Sequence, residues 1–325
     1  MTELRPAGVL VACSGGPDSV ALAAATAFEA PRLGIPAGLV TVDHGLQDGS
    51  ADWAAETASL GRALGLDPVL VRRVTVGIDG GPEAAARTAR YAALADAAGA
   101  AAGAVTPAPG TARSAGAGVG AGPAPAGVPY PGWVVVLGHT LDDQAETVLL
   151  GLGRGSGPRS IAGMRPVDGR WVRPLLGVRR AATREACVAE RLAYRDDPHN
   201  ADPRFTRVRL RTEVLPLLED ILQGGTAEAL ARTAGLLRDD LDALDALAAA
   251  LTPDGPVLDP DALARHPRAV RTRVLRAWAG GPLTAVQLRA LDALVTDWHG
   301  QGPVSLPSGR VVSRSSGMLR LDRSS

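Results

Sequence analysis

The sequence predicts an α/β fold in which a parallel sheet has helices on both faces, followed by a smaller, mostly helical domain with a short β-meander. In the first half of the chain, short apolar runs alternate with alanine-rich runs of helical composition. Strands that are apolar almost throughout are typical of a parallel sheet that is buried on both faces. The length of 325 residues is that of two domains rather than one.

The elements of the sheet follow one another in a regular order along the chain. The predicted strands are "GVLVAC" (8–13), "GLVTVDH" (38–44), "PVLVRRVTV" (68–76) and "WVVVLGH" (133–139). The predicted helices of this half cover 18–30, 51–65, 82–99 and 142–152. Ligands of such sheets bind at the carboxyl ends of the strands, so we expect the functional residues there.

Two further segments set the domain organisation. Residues 99–132 consist mostly of Gly, Ala and Pro, and we predict a low-complexity insertion with no fold of its own. The "QGG" at 223–225 predicts a boundary between a catalytic domain, 1–222, and a C-terminal domain, 226–325. The predicted elements beyond the sheet are helices over 179–192, 227–251, 258–279 and 284–298 and a β-meander over 303–321.

The composition argues against several classes of protein. Apolar residues make up 46% of the chain and aromatic residues 3%, so Leu, Val and Ala must fill the core. No run of about 18 uncharged apolar residues occurs, which argues against a membrane span. The N-terminus lacks the pattern of a secretory signal, and Cys13 and Cys187 are too few for a disulfide framework or a zinc site. We therefore expect a cytoplasmic protein with no membrane contact.

The charges are segregated along the chain although the formal net charge is zero. Residues 154–211 hold fourteen Arg and six acidic residues, whereas 219–261 hold ten acidic residues and two Arg. Residues 265–290 hold six Arg and no acidic residue, and the chain contains no Lys. A GC-rich genome can explain the Arg content but not its segregation, which is typical of a polyanion-binding face.

The stretch "VLVACSGGPDSV" (9–20) predicts an anion-binding turn. Gly15 and Gly16 come directly after an apolar strand and allow the backbone to approach a ligand closely. Backbone N–H groups at the start of the next helix can then bind phosphate, together with the hydroxyls of Ser14 and Ser19. Asp18 would repel a phosphate unless a Mg²⁺ ion lies between them. A plain strand–helix turn with a capping side chain is the alternative.

Other polar side chains are predicted at the same edge of the sheet. Asp43 and His44 end the second predicted strand, and His139 ends the fourth. Asp143 and Glu146 open the next helix and share one face because they are three residues apart. Two carboxylates beside a phosphate site can bind a metal ion or an ammonium group. Acidic residues that only complement the helix dipole are the alternative.

Together these strings resemble a known family. "SGGPDS" is similar to the S-G-G-x-D-S loop of the PP-loop (N-type) ATP pyrophosphatases, which cleave ATP between the α- and β-phosphates. Within that superfamily, five further strings resemble the tRNA(Ile)-lysidine synthase family in their order and approximate spacing. They are "VDHGL" (42–46), "EAAARTARY" (83–91), "LGHTLDDQAETVLLGLGRGSG" (137–157), "RPLL" (173–176) and "DPHNADPRFTRVRLR" (197–211).

The resemblance implies an adenine nucleotide alpha-hydrolase-like fold, ATP and Mg²⁺ as cofactors, and free L-lysine and tRNA(Ile) with a CAU anticodon as partners. Lysine would be joined to the wobble cytidine through an adenylated tRNA, and AMP and pyrophosphate would be released. A homodimer is left open. The implied ATP-binding residues are Ser14, Gly15, Gly16, Pro17, Asp18, Ser19, Asp43, His44 and His139. The implied catalytic residues are Asp18, Asp143, Glu146 and Arg207, of which Asp18 and Asp143 would bind Mg²⁺.

The chain departs from this family at three positions, and other functions stay open. Gln47, Thr140 and Val208 stand where the family commonly has Arg, His and Asn. A tRNA 2-thiolation enzyme would share the loop but commonly uses a C-x-x-C pair, which the chain lacks. A non-catalytic nucleotide-binding module would need neither "DDQAET" nor the Arg-rich stretch 197–211.

Overall fold

A computed structural model describes residues 6–45, 49–75, 82–104, 132–197 and 202–323, with side chains for all of them except 82–84 and 104. The chain divides into two compact units, Met1–Ala234 and Gly235–Ser325. A long helix, Thr226–Leu251, contains the point of division, which lies beyond the predicted boundary at 223–225. Among the described helices, none has the length and apolar character needed to cross a lipid bilayer.

The first unit is built on a six-stranded sheet, which confirms the predicted parallel architecture. Its strands are β1 (Gly8–Ala12), β2 (Ala37–Asp43), β3 (Val69–Arg73), β4 (Trp133–Leu137), β5 (Val167–Asp168) and β6 (Trp171–Val172). The spatial order is β3-β2-β1-β4-β6-β5, and all neighbours are parallel except β5 and β6. Val11 at the centre pairs with Leu39 on one side and Val136 on the other.

Helices pack against both faces of this sheet, as predicted. The main helices of the unit are α1 (Pro17–Leu33), α2 (Ser50–Ala63), α3 (Pro82–Ala104), α4 (Leu141–Arg154), α5 (Pro158–Ile161) and α6 (Arg180–Ala189). Leu10 and Val135 belong to one core cluster with Leu94 of α3. Their neighbours Val11 and Val136 belong to another cluster with Val20 of α1. Successive strand residues point to opposite faces, so each strand is buried on both sides.

Helix α3 is longer than the sequence predicts. The helix was expected to end at residue 99, at the start of the predicted insertion, but it continues to Ala104. Ala101 is fully buried in the core cluster that α3 shares with the sheet. Burial of alanine methyl groups against the strands therefore extends the helix into a stretch whose composition suggested a loop. The rest of the predicted insertion, 105–131, lies outside the described residues.

Helical turns follow α6 in the Arg-rich stretch that precedes the long helix. They are α7 (Thr206–Arg209), a π-helical turn (Leu210–Val214) and α8 (Leu215–Ile221), and the long helix that follows them is α9 (Thr226–Leu251). Leu141 and Ala145 of α4 form a small core cluster with Leu215 of α8 and Ala227 of α9. This cluster fixes the Arg-rich stretch beside α4, which carries the predicted carboxylates.

The second unit combines a small antiparallel sheet with helices, in agreement with the predicted β-meander. Its elements are β7 (Val257–Leu258), α10 (Pro260–Ala264), α11 (Arg268–Ala279), α12 (Ala285–Thr296), β8 (Val304–Leu306), β9 (Arg310–Ser315) and β10 (Met318–Arg323). The strand order is β7-β10-β9-β8. The core of the unit contains Leu275, Leu291 and Leu294 from the helices and Leu319 from β10, all fully buried.

The single helix predicted over 258–279 is wrong, because this stretch forms a strand and two helices. Asp259 caps α10 by accepting hydrogen bonds from the backbone N–H groups of Asp261 and Ala262. Pro267 stands immediately before α11. Proline disfavours a helical conformation in the residue before it and has no N–H to donate, so the helical pattern is interrupted there.

At least four of the six arginines in 265–290 make contacts inside the second unit, since Arg268 also lies 3.8 Å from Asp292 Oδ2. Arg271 binds both oxygens of Asp292, with Nε–Oδ1 2.6 Å and Nη2–Oδ2 3.1 Å. Arg273 donates to Asp245 at 2.8 Å, and Arg276 donates to the carbonyl of Leu283 at 3.2 Å. By contrast, the side chain of Arg268 is 72% exposed. The basic stretch therefore contributes to the packing of the unit as well as to its surface.

The strand order locates the functional edge of the first unit. From β1 the chain forms β2 and β3 on one side and then crosses to β4 on the other side. Ligands of open parallel sheets bind at the carboxyl ends of the strands on either side of such a reversal. The segments that follow β1 and β4 are the predicted loop, Ser14–Ser19, and the residues that lead into α4.

Candidate active site

The loop after β1 adopts a conformation that requires glycine at position 15. Gly15 has φ +82°, and a Cβ atom there would lie 2.2 Å from Trp53 Nε1 and 2.9 Å from Thr57 Oγ1. Gly16 is the N-cap of α1, and Pro17 occupies the first turn of that helix. The first backbone N–H groups of a helix are free to bind an anion, and the helix dipole favours negative charge there.

The two serines of the loop have different roles. Ser19 is buried, accepts a hydrogen bond from the Ser14 backbone N–H at 3.1 Å and donates to the carbonyl of Gly16 at 2.9 Å. Its hydroxyl therefore holds the loop in shape, which differs from the expectation that it would donate to phosphate. Ser14 is exposed, so its hydroxyl can reach a ligand.

The loop opens into a cavity of about 810 Å³. This volume is within the range of roughly 300–1,000 Å³ that is typical of small-molecule sites. Of the predicted site residues, nine line it: Ser14, Gly16, Pro17, Asp18, Ser19, Asp43, His44, His139 and Asp143. The other three, Gly15, Glu146 and Arg207, are not among the described residues that line this cavity. The sheet thus brings together the carboxyl ends of β1, β2 and β4 around one space.

One arginine, Arg180, connects the predicted carboxylates. Its Nε lies 3.3 Å from Asp18 Oδ2, its Nη2 lies 2.5 Å from Asp143 Oδ1 and its Nη1 lies 3.5 Å from Glu146 Oε1. Burial lowers the pKa of Arg180, but the surrounding carboxylates outweigh this effect and leave it raised. The guanidinium therefore stays charged between three acidic side chains. Sequence reasoning missed this residue, and the Arg-Arg pair at 179–180 was the available signal.

Asp143 is ionised because several groups stabilise its negative charge. The backbone N–H and the hydroxyl of Thr140 donate to its Oδ2 at 2.8 and 2.9 Å. Burial raises the pKa of Asp143, but the charge of Arg180 and the Thr140 hydrogen bonds outweigh it, so the pKa is lowered. Thr140, which departs from the family pattern, is fully buried and forms a capping box with Asp143 at the start of α4.

Asp18 is in a different electrostatic environment from Asp143. Its Oδ1 accepts a short hydrogen bond from the hydroxyl of Thr183, and its Oδ2 faces Arg180. Burial nevertheless raises the pKa of Asp18 above its ordinary value, and the nearby Asp143 adds to the rise. Negative charge at Asp18 is thus only partly compensated by the protein, which suits a carboxylate that binds a cation.

Glu146 lies deeper than the sequence suggested. Its side chain is 0% exposed, and Arg211 binds both of its oxygens, at 2.8 and 3.2 Å. Arg207 lies 4.0 Å away and also reaches the hydroxyl of Thr147 at 3.5 Å. Glu146 is therefore already compensated by arginines in this structure. Val208, where the family commonly has Asn, is buried.

Several buried nitrogen atoms at the other side of the cavity have no hydrogen-bond partner among the described residues. They are Nδ1 of His44, Nδ1 of His139 and Nε of Arg90. All three residues line the cavity. Burial lowers the pKa of His139 to about 4, and burial together with the charge of Arg90 lowers the pKa of His44. Neutral imidazoles and a guanidinium with unpartnered nitrogens are suited to a polar ligand with hydrogen-bond acceptors.

The other polar residues of the family-like strings, including Asp197, Asn200 and Asp202 of the string 197–211, either have structural contacts or are not among the described residues. Asp43 is buried, and hydrogen bonds from Ser50 and from the Gly45 backbone lower its pKa. Asp202 binds Arg204 on the surface, and Asp197 lines the cavity. Gln47 and Asn200 lie outside the described residues. Trp53, which sequence reasoning also missed, faces the loop at Gly15.

The donor set fits a Mg²⁺ ion that is held mainly by phosphates. In the described part of the chain, no group of three or more His, Cys, Asp or Glu could hold a metal ion. Mg²⁺ commonly takes one or two carboxylates, with substrate phosphates and water as its other ligands. Asp18 and Asp143 supply two such carboxylates at the edge of an anion-binding loop. These residues therefore fit an ion that arrives with a nucleotide.

Known protein families match parts of both units of the chain. A model of the PP-loop domain matches residues 1–106 and 132–218, and a model of the TilS substrate binding domain matches 258–320. The tRNA(Ile)-lysidine synthase of Thermobifida fusca is 52% identical over 97% of this chain and 92% of its own length. That of Streptomyces coelicolor is 52% identical over 95% of this chain and 83% of its own length.

A solved structure shares the fold at low sequence identity. The U34-tRNA thiolase NcsA from Methanococcus maripaludis, determined with its [4Fe-4S] cluster, has a TM-score of 0.51. It is 16% identical, and the match covers 72% of this chain and 74% of the thiolase chain. At this identity the likeness concerns the fold alone.

The Gly15→Ala substitution should weaken ATP binding at least tenfold in calorimetric titrations. A Cβ at this position would overlap Trp53 and displace the loop. Gly34→Ala is the matched control, because Gly34 has φ +65° but nothing within 4 Å of its Cβ position. Both variants incur the cost of a left-handed backbone, and only the first alters the loop. Equal ATP affinity in the two variants would contradict this account of the loop.

The imidazole of His139 should titrate with a midpoint near pH 4 in NMR spectra of the folded protein, with His139→Gln assigning the signal. The unfolded chain binds this proton near pH 6.5, so the folded state binds fewer protons between these values. The stability that neutral His139 contributes is therefore present above pH 6.5 and is lost as the pH falls towards 4. The loss relative to His139→Gln is up to about 3 kcal/mol. A midpoint near 6.5 would show that burial does not hold the ring neutral.

Proposed function

Because this chain belongs to the tRNA(Ile)-lysidine synthase family, we propose that it uses ATP to join lysine to the wobble cytidine of tRNA(Ile) with a CAU anticodon. The C2 oxygen of cytosine attacks the α-phosphate of ATP, and pyrophosphate leaves. The amine of lysine then displaces AMP from C2, so lysidine forms. The observation that carries the proposal is the cavity in which an anion-binding loop, Ser14–Ser19, faces the carboxylates of Asp18 and Asp143.

The loop is proposed to bind the phosphates of ATP. The backbone N–H of Asp18 and the exposed hydroxyl of Ser14 are the proposed donors, because Pro17 has no N–H and those of Ser19 and Val20 donate to the carbonyl of Gly16. Gly15 and Gly16 leave room for the phosphates to approach the backbone, and Ser19 holds the loop in that shape. Asp43 and His44, at the end of the neighbouring strand, lie where the sheet would place the adenosine.

Asp18 and Asp143 are the residues proposed to hold Mg²⁺. When bound, the ion would neutralise charge on the phosphate oxygens and make the α-phosphorus more open to attack. Asp143 is kept ionised by Arg180 and Thr140, and Asp18 supplies a second carboxylate from the first turn of α1. The two helices α1 and α4 therefore position the ligands before a nucleotide enters.

Arg90 and His139 are proposed to orient the reacting groups. Both residues line the cavity, and each has a buried nitrogen with no hydrogen-bond partner among the described residues, whereas cytosine O2 and N3 and the phosphate oxygens are hydrogen-bond acceptors. The lowered pKa of His139 keeps its ring neutral near pH 7, so it adds no charge beside the base. Alignment of this kind, rather than a covalent enzyme intermediate, supplies the catalysis.

Lysine is proposed to bind beside Arg211, which lines the cavity and whose guanidinium can receive the lysine carboxylate. Glu146 acts through Arg211 and Arg180, which makes it a positioning residue. Arg207, at 39% exposure, is available to a phosphate of the tRNA.

The tRNA is proposed to contact exposed arginines of both units, including Arg268. Arginine contacts to phosphates make binding fall as the salt concentration rises. Whether the chain forms a homodimer stays open, and cytoplasmic localisation stays a prediction from the sequence composition.

The cysteines of the chain argue against the alternative function, a tRNA 2-thiolation activity. The two cysteines of the chain, Cys13 and Cys187, are both buried in one core cluster of the first unit. Burial raises the pKa of both thiols, which disfavours the reactive thiolate.

Incubation with labelled lysine distinguishes lysidine synthesis from 2-thiolation and from nucleotide binding without catalysis. The protein, ATP, Mg²⁺ and a tRNA(Ile) transcript with a CAU anticodon should yield lysine bound to RNA. A transcript with another base at the wobble position should stay unlabelled. Hydrolysis of ATP with no lysine in the RNA would reject the proposed function.

The Asp18→Asn substitution should reduce tRNA-dependent ATP–pyrophosphate exchange at least a hundredfold while the protein stays folded. The variant removes a charge that would hold the cation against the phosphates, and one such interaction is worth on the order of 3 kcal/mol in the transition state. Asp220→Asn, an exposed position at the end of α8, is the control and should keep normal exchange. Near-normal exchange in Asp18→Asn would remove Asp18 from the mechanism.

A further inference from the structure

We propose that Arg180 is an exchangeable counter-ion. In the nucleotide-free enzyme, its guanidinium occupies the site between Asp18 and Asp143 that a metal ion would otherwise take. When a divalent cation binds those carboxylates, the Arg180 side chain turns to the triphosphate. This inference rests on the proposed nucleotide site and concerns how that site is kept ready. It gives Arg180 a role in two successive states rather than in one fixed ion pair.

The geometry of the guanidinium supports a counter-ion role. Each of its three nitrogens faces a different carboxylate: Nε faces Asp18, Nη2 faces Asp143 and Nη1 faces Glu146. The side chain is only 16% exposed, so water screens these charges weakly. Without a cation here, three carboxylates would repel one another in a partly buried space.

The oxygen atoms facing Arg180 are the ones that a metal ion would need. Asp18 Oδ1 is engaged by the hydroxyl of Thr183, which leaves Oδ2 to Arg180. Asp143 Oδ2 is engaged by Thr140, and its Oδ1 faces Arg180 at 2.5 Å, with Arg211 Nη2 farther away at 3.7 Å. Mg²⁺ requires oxygen ligands at roughly 2.0–2.1 Å in nearly octahedral geometry. A guanidinium that occupies the same two oxygens therefore competes with the ion.

The rest of the site permits the exchange without loss of its framework. The backbone N–H of Arg180 donates to Asp142 Oδ2 at 2.7 Å, so the start of α6 stays fixed when the side chain turns. Arg211 binds both oxygens of Glu146, so Glu146 remains compensated after Arg180 leaves. Arg180 also lines the cavity of the Ser14–Ser19 loop. A planar guanidinium there can bind phosphate through two hydrogen bonds.

Metal binding in the absence of nucleotide tests the exchange. Mn²⁺ serves as the probe in place of Mg²⁺, and electron paramagnetic resonance measures the free ion. Arg180→Gln should bind Mn²⁺ at least tenfold more tightly than the wild type, because the competing cation is gone. The same variant, with Mn²⁺ at saturation, should bind ATP at least tenfold more weakly, because a phosphate donor is gone.

Two further variants make the result specific to Arg180. Arg179→Gln is the matched control and should leave both affinities unchanged, because the Arg179 side chain pairs with Asp142 and Glu228. Arg180→Lys keeps the charge but presents a single ammonium group, so its Mn²⁺ affinity should fall between those of Arg180→Gln and the wild type. If Arg180→Gln does not fold, as judged by circular dichroism, the lysine variant carries the test alone.

The outcomes distinguish this inference from the proposed function. Mn²⁺ affinity in Arg180→Gln and Arg180→Lys that equals that of the wild type, with normal ATP binding by the wild type, would overturn the exchange and leave the nucleotide site intact. A wild-type protein that binds no ATP even with Mn²⁺ would overturn the nucleotide site itself, and the inference with it.

Discussion

The candidate active site depends on charge compensation between Arg180 and carboxylates from two other helices. Asp18 comes from α1, Asp143 and Glu146 come from α4, and Arg180 begins α6. These helices are distant in sequence, so this ion cluster also joins separate parts of the first unit. A cluster that is compensated by one guanidinium can hold acidic residues close together, and on the proposed exchange it can still accept a metal ion.

The sheet makes this arrangement possible. β1 and β4 are neighbours at the point where the strand order reverses, so the loop after one lies beside the helix that follows the other. The approach is close: a Cβ at Gly138 would lie 3.1 Å from backbone atoms of Asp18 and Ser19. At this junction, Thr140 caps α4 and the hydroxyl of Thr183 in α6 donates to Asp18.

The features of the fold that depend on residues close together in sequence could be predicted from the sequence. The glycine-containing loop, the parallel strands and Asp143 at the start of α4 could be read from composition and spacing. Arg180 and Thr183 could not, because their contacts with Asp18 join residues more than 160 positions apart. The enclosure of Glu146 by Arg211 has the same origin, 65 positions apart. The extension of α3 to Ala104 depends on burial that composition does not reveal.

A crystal structure with ATP and Mg²⁺ tests the central claim most directly. The account predicts a triphosphate in the Ser14–Ser19 loop, a metal ion bound to Asp18 and Asp143, and Arg180 in contact with phosphate oxygens. The contacts of 3.3 Å and 2.5 Å between Arg180 and these two carboxylates would then be broken. Nucleotide bound elsewhere, or Arg180 still paired with both carboxylates beside a fully occupied loop, would contradict it.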